Sequence, residues 1–467
     1  MNEQEKRLAR NAIGTSSLFF FVIAAAAPLT SIAAFAPLAF LLGGAAAPLG
    51  FLVAGVVYLM FAVGFLSFVR HTSKGGAFYT YISIGLGRRV GLGAALVAYV
   101  SYALGQIGFC AAAGLFTQVA IQATTGLDPS WGACALGLAL LSGLLAYCRV
   151  ELNALVMGVL IVAEIGILVV FAVVVFFTGG AEGIHVESLD PRALLSPGIG
   201  TLLVVTFVVF IGFEQTALYN EEARDPKRTV PHATYLAIGF LALFYLLSAW
   251  SILIAIGPSH LEQVLTGDTA NLVFKLAEHY LGGFASSLML VLVVTSFFAG
   301  VLALQNASTR YLLAIARERM LPAAFATRNR FGMPRVAGIF QTLLVMVAIL
   351  ASYLAGLDPY KQVVLWTNTP TLIGVLALQA ATSLAAIRYF RRHPGDTTVW
   401  QRLIAPSCAA AMLLLVLWLL FRDMGLLTGM DAGRNALLAA PLVLAFIIGC
   451  IQGTCRSTLS PNKKTAA

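Results

Sequence analysis

Residues 11 to 69 carry no Asp, Glu, Lys or Arg. So long an uncharged apolar run has no stable place in water. A helix needs about 20 apolar residues to cross a bilayer, so the run has room for two crossings, with a turn at Gly43-Gly44. Single spans of the same kind follow at 90–127, 129–148, 152–181, 193–219, 232–257, 283–309, 336–357, 362–387, 403–421 and 435–455. The expected fold is an all-α polytopic membrane protein with twelve transmembrane helices. Composition agrees: 60% of the 467 residues are hydrophobic and 10% are charged, where soluble domains average about 45–50% and about 25%. Cys110, Cys134, Cys148, Cys408, Cys450 and Cys455 show no metal-ligand spacing and read as small buried hydrophobes. No cofactor or metal is expected.

The net charge of +9 raises nucleic acid as a partner only if the basic residues gather on one soluble face. They do not. With a cytoplasmic N-terminus and twelve alternating spans, 24 of the 29 basic residues fall on the inner face, and only Arg192, Lys275, Lys361, Arg422 and Arg434 fall outside. That bias is the positive-inside pattern, and it places both termini in the cytoplasm of a cell whose inner membrane holds the protein. No nucleic-acid partner is needed to explain it. Lys6, Arg7 and Arg10 before an apolar run, with Ala34-Phe35-Ala36 beyond, imitate a signal peptide. The apolar run is too long for one, and it is read as a retained first helix. Between spans 7 and 8, Thr269 to Leu281 has helical spacing, with Asp268 as a candidate cap.

Two spans are interrupted. Span 1 carries Ala27-Pro28-Leu29-Thr30-Ser31-Ile32 at its middle, where Pro28 removes a backbone donor and frees carbonyls one turn earlier. Span 6 carries Phe210-Ile211-Gly212-Phe213-Glu214. Interrupted spans at matching positions of two halves point to a substrate site between them. Glu164 and Glu214 are the only acids inside spans. A lone carboxylate at that depth is expensive, so each should be protonated, paired or lining water. Such a group serves either proton coupling or permanent helix-to-helix hydrogen bonding. Tyr102 and Gln106, one turn apart on span 3, and the polar run Trp366 to Thr371 on span 10 either line a cavity or tie helices together.

The stretch Phe210-Ile211-Gly212-Phe213-Glu214, followed by Glu221-Glu222-Ala223-Arg224-Asp225-Pro226-Lys227-Arg228-Thr229-Val230-Pro231, resembles the sixth-helix signature of the amino acid-polyamine-organocation (APC) permease family. Gly75-Gly76-Ala77-Phe78-Tyr79-Thr80-Tyr81 is similar to that family's entry to helix 3, and Asn306 to Pro322 with Pro334-Arg335 to its end of helix 8. The resemblance implies a five-plus-five inverted repeat with broken helices 1 and 6. The chain then divides into a cytoplasmic segment 1–13, repeats 14–181 and 193–390, two further helices in 403–455 and a tail 456–467. It implies a substrate held between Ala27–Ile32 and Phe210–Glu214. Two departures stand out. Glu164 lies at or beside the place where some members carry a coupling lysine. The family's Gly-Ser-Gly on helix 1 is replaced by Thr30-Ser31-Ile32. Glycine permits the close backbone approach that a carboxylate needs. An amine without a carboxylate therefore stands beside an α-amino acid as the expected substrate.

The expectation is a permease importing an amino acid or organic amine with protons, Glu214 and Glu164 coupling its movement, and an exchanger on the same fold as the alternative. The loop from Glu221 to Arg228 reads either as inside gate and anchor contacts or as a merely solvated loop. HExxH, GxSxG and GxxxxGK[ST] motifs are missing from the sequence, which argues against an enzyme.

Overall fold

The computed structural model describes residues 13–71, 77–148, 150–195, 198–266 and 271–457. Segment 1–12, Gly75-Gly76, Asp268-Thr269 and the tail beyond 457 lie outside the described residues.

The first apolar run is cut twice. Helix α1 (Thr15–Ala26) ends where Ala27 turns left-handed, with φ 44° and ψ 69°, and α2 (Pro28–Gly43) begins at once. Proline at the first position of a helix needs no N–H partner and disfavours the right-handed conformation in the residue before it. The break is therefore at Ala27, and Pro28 opens the second half. The turn expected at Gly43-Gly44 is a short 3-10 segment, Gly44–Ala46, leading into α3 (Ala47–His71).

Then follow α4 (Ala77–Leu86), α5 (Arg88–Thr125), α6 (Trp131–Tyr147), α7 (Val150–Thr178), α8 (Ile199–Val208), a 3-10 helix Phe213–Tyr219, and α9 (Pro226–Ile256). The short α10 (Leu261–Leu265) and α11 (Leu272–Leu281) precede α12 (Gly283–Arg317), α13 (Arg335–Leu354), α14 (Leu365–Arg392), α15 (Ala405–Arg422), α16 (Met424–Thr428) and α17 (Ala432–Ser457). Ten helical stretches among the described residues are long and apolar enough to cross a membrane, one of them running from Thr15 to His71. Ala77–Leu86 and Trp131–Tyr147 are shorter apolar helices.

Three boundaries differ from expectation. Entry to span 3 is a separate helix, α4, hinged at Gly87 with φ 105°. Helix α12 runs two turns past residue 309, because Arg310 marks the end of the apolar stretch and not of the helix. The helix between spans 7 and 8 begins at Leu272, with Asn271 at its N-cap position.

The broken segments lie centrally: α1 packs on α7, α9 and α12, and α2 on α3, α8 and α12. Helix α5 crosses α12, α14 and α17. Its small residues allow this, and a Cβ added at Gly449 of α17 would lie 2.6 Å from the Gly93 Cα. Helix α7 separates its two faces clearly. Ile161, Glu164, Leu168, Phe171 and Val175 are buried, while Leu155, Val159, Val162, Val169, Val173 and Phe177 are exposed and form a lipid-facing stripe.

Candidate functional site

The two interruptions touch. Helix α8 ends at Val208, the chain turns through Phe210 and Ile211, and Gly212 takes φ 122° before the 3-10 helix starts. A methyl group at Gly212 would sit 2.7 Å from the Ala25 Cβ of α1. Gly212→Ala is therefore expected to cost on the order of 1–3 kcal/mol from backbone strain alone, with the clash added, and to lower the thermal midpoint measurably.

Carbonyls freed at the breaks find donors. The Ser31 hydroxyl donates to the Ala26 carbonyl at 2.7 Å. The Tyr245 hydroxyl of α9 lies 3.3 Å from that oxygen and 3.1 Å from the Val209 carbonyl, so one donor is shared between the cut ends of both helices. Phe210 and Phe213 are fully buried against Tyr58, at ring separations of 5.5 and 5.1 Å. Ile211 is half-buried.

Glu214 is fully buried with both oxygens engaged. Oε1 accepts from the Tyr102 hydroxyl of α5 at 2.6 Å, and Oε2 accepts from the Gly212 N–H at 3.0 Å. The carboxyl thus closes its own loop and fastens it to α5. Gln379 of α14, also buried and with neither amide atom hydrogen-bonded, faces the same group.

Glu164 is equally buried, but neither of its oxygens has a partner. It faces the Leu29 backbone N–H, at the first turn of α2, and the Ser296 hydroxyl of α12. The neighbouring Thr30 N–H reaches that Ser296 hydroxyl at 3.4 Å. The first-turn N–H groups of a helix lack intrahelical partners and carry its positive dipole end, so the α2 start already has a carboxyl from its own chain in front of it. The Thr30 hydroxyl is buried and unpartnered as well. Leu29 and Ile32 are buried in the core.

A cavity approaches the breaks from one end. A cavity of about 470 Å³ lies along the far half of α2, lined by Thr30, Ala33, Pro37, Phe116, Phe274 and Phe297 among others, and it reaches down to Thr30. Among the described residues, ion pairs and backbone bonds close the opposite face, which carries Ile13. Arg310 of α12, 4% exposed, holds Glu222, 0% exposed, through two parallel bonds of 2.9 Å. Its guanidinium lies 4.2 Å over the Tyr219 ring, which stacks on Phe21 of α1 at 4.9 Å. Arg317 clasps Glu221 at 2.7 and 3.0 Å. The Ile13 N–H donates to the Glu222 carbonyl, and the Arg224 N–H donates to the Ile13 carbonyl.

Of the candidate residues, the structure brings Ala27 to Ile32, Tyr102, Phe210 to Glu214 and Glu164 to the two breaks. Gln106 goes elsewhere. Its Nε2 donates to Gln305 at 2.7 Å and its Oε1 accepts from Gln341 at 2.9 Å, joining α5, α12 and α13. Sequence reasoning missed Tyr245, Ser296 and Gln379, which carry no local motif. The bidentate Arg310–Glu222 pair had a signal, since both residues lie in stretches already singled out.

A family model described as amino acid permease matches residues 13–447. The chain belongs to the amino acid permease family. It is a multi-pass membrane transporter and not an enzyme. The permease is 26% identical over 333 residues to an uncharacterized transporter of Mycobacterium tuberculosis, covering 70% of this chain and 69% of that one. It is 28% identical over 156 residues to a lysine-specific permease of Lactococcus lactis, covering 33% and 30% of the two chains. Among solved structures, its fold is similar to that of a substrate-bound, outward-open Na+-coupled sialic acid symporter. The TM-score is 0.55 with 13% identity, over 89% of this chain and 91% of that one.

Proposed function

We propose that this permease imports an organic amine or a cationic amino acid across the cytoplasmic membrane by alternating access, with protons as the coupling ion. Both termini lie in the cytoplasm, twelve spans cross the bilayer, and helices 1 to 5 and 6 to 10 form an inverted repeat. On this reading α1 with α2 is helix 1, and α8 with the 3-10 segment is helix 6. Substrate rests between Ala27–Ile32 and Phe210–Phe213, with Tyr102 beside them. The conformation is closed inside by Arg310–Glu222 and open outside through the cavity above Thr30.

The observation that carries the reading is Glu164: a fully buried carboxyl, both oxygens without partners, at the break in helix 1. A carboxylate in that place needs a cation or a proton. Because Glu164 also faces the α2 N-terminus, the position that would attract a substrate's carboxylate is already faced by a negative group. This favours an amine whose charge is positive. The likeness of one third of the chain to a lysine-specific permease points the same way, since lysine carries a side-chain ammonium.

A thermal-shift screen of the purified protein against linear polyamines, cationic amino acids and neutral or acidic amino acids tests it, because a ligand of the folded state raises its midpoint. Stabilisation is expected from amines and cationic amino acids. Stabilisation by acidic amino acids alone would contradict the assignment.

A further inference from the structure

On the face that carries Ile13, away from the broken helices, a second cavity of about 490 Å³ is lined by Arg70, Lys227, Arg228, Pro231, His232 and Tyr235. Arg70 ends α3, and the others belong to the first three turns of α9. Three cations therefore converge from two helices. Among the described residues neither Arg70 nor Lys227 is ion-paired, and Arg228 meets Asp225 only at 3.9 Å. A concave cluster of this kind is complementary to an anion with several acceptor oxygens.

What lies beyond the pocket identifies the source of that anion. Counting along α9 from Arg228 and His232, the exposed residues on the same face are Leu236, Leu243 and Leu247. Helix α3 mirrors this, with Val56 exposed and Leu59, Met60 and Val63 half-exposed on the approach to Arg70. Cations at the end of an apolar, lipid-facing track match a headgroup joined to acyl chains. A free phosphate would have no use for the track.

We infer that the pocket between the end of α3 and the start of α9 binds the phosphate headgroup of an anionic phospholipid. Arg70, Lys227 and Arg228 contact the phosphate, and Leu236, Leu243 and Leu247 carry an acyl chain. Basic pockets between helices at a membrane face are physically suited to such lipids. The position has a consequence. The loop entering α9 is the one that holds Glu221 and Glu222 against α12 and is bonded to Ile13. A phosphate bridging α3 and α9 braces that loop in its closed arrangement. The site stands independently of the proposed substrate, and on the orientation proposed above it faces the cytoplasmic leaflet.

The test is the thermal midpoint of the purified full-length protein in detergent supplemented with phosphatidylglycerol, phosphatidylcholine or inorganic phosphate. Phosphatidylglycerol is expected to raise the midpoint by roughly 3–5 °C, with little effect from the other two. Arg70→Gln/Lys227→Gln/Arg228→Gln should weaken the lipid's apparent affinity on the order of 100-fold. Leu236→Ser/Leu243→Ser should weaken it without touching the cations. If the triple variant is unstable in phosphatidylcholine, Arg70→Gln alone, at an exposed helix end, gives the same readout with a smaller effect. Equal stabilisation by phosphatidylcholine, or a shift that survives in the variants, would overturn the site. Full stabilisation by inorganic phosphate would overturn its assignment to a lipid.

Discussion

Arg310→Met is expected to lower the stability of the closed state by about 3–5 kcal/mol, because it leaves Glu222 fully buried without its counter-charge. The pair is bidentate, the guanidinium also donates to the Asn306 carbonyl at 3.0 Å, and its face rests on Tyr219. Two outcomes relieve the stranded carboxylate: unfolding, or opening of the face so that water reaches it. Both lower the thermal midpoint. Opening also exposes residues near Tyr219 to reagents from that side, so thermal unfolding and accessibility together separate the two. The double variant Arg310→Met/Glu222→Leu removes both charges and should recover most of the midpoint without recovering transport. A single variant as stable as the wild type would show that the pair does not close this face.

Glu164→Gln is expected to weaken binding of the positively charged substrate and to reduce its gradient-driven accumulation by more than about 10-fold. An amide keeps the volume of the carboxyl but cannot exchange a proton. In proteoliposomes with an acidic exterior, the wild type should concentrate labelled amine, and its uptake should rise with the size of the proton gradient. The variant should at best equilibrate the amine, with uptake insensitive to the gradient. Accumulation and pH profile unchanged in Glu164→Gln would remove this residue from coupling. Glu214→Gln should act through the fold of the break instead. Glu214 accepts from Tyr102 and Gly212, so an amide that must offer a donor to one of them loosens the helix 6 turn and lowers both binding and uptake.

The sequence was most informative where it broke its own pattern. Pro28, Gly212, Glu164 and Glu214 each interrupt an apolar run of sequence, and each lies at the two breaks or packs against them in the structure. The ends of the apolar runs also fell close to helix ends, except where a helix such as α12 outlasts its apolar stretch. Which face of each span is buried was not legible. In water, a helix shows its inner face by contrast with polar residues, but here lipid and core are equally apolar. Val162 and Ile161 are alike in chemistry, and only the fold makes one lipid-facing and the other part of the core. For the same reason Tyr245, Ser296 and Gln379 gave no signal, since their partners are far away in the chain. Gln106 shows the complementary limit: a polar residue one turn from Tyr102 serves a satisfied amide network, while Tyr102 serves the break.

Access to Thr30 decides most directly whether the two breaks form a substrate site open to one side of the membrane. Thr30→Cys in a cysteine-free background should react with a membrane-impermeant thiol reagent applied outside, through the cavity that reaches it. It should be shielded from the side of Ile13, and saturating amine should protect it. Labelling that is equal from both sides, or indifferent to a bound substrate, would contradict this account.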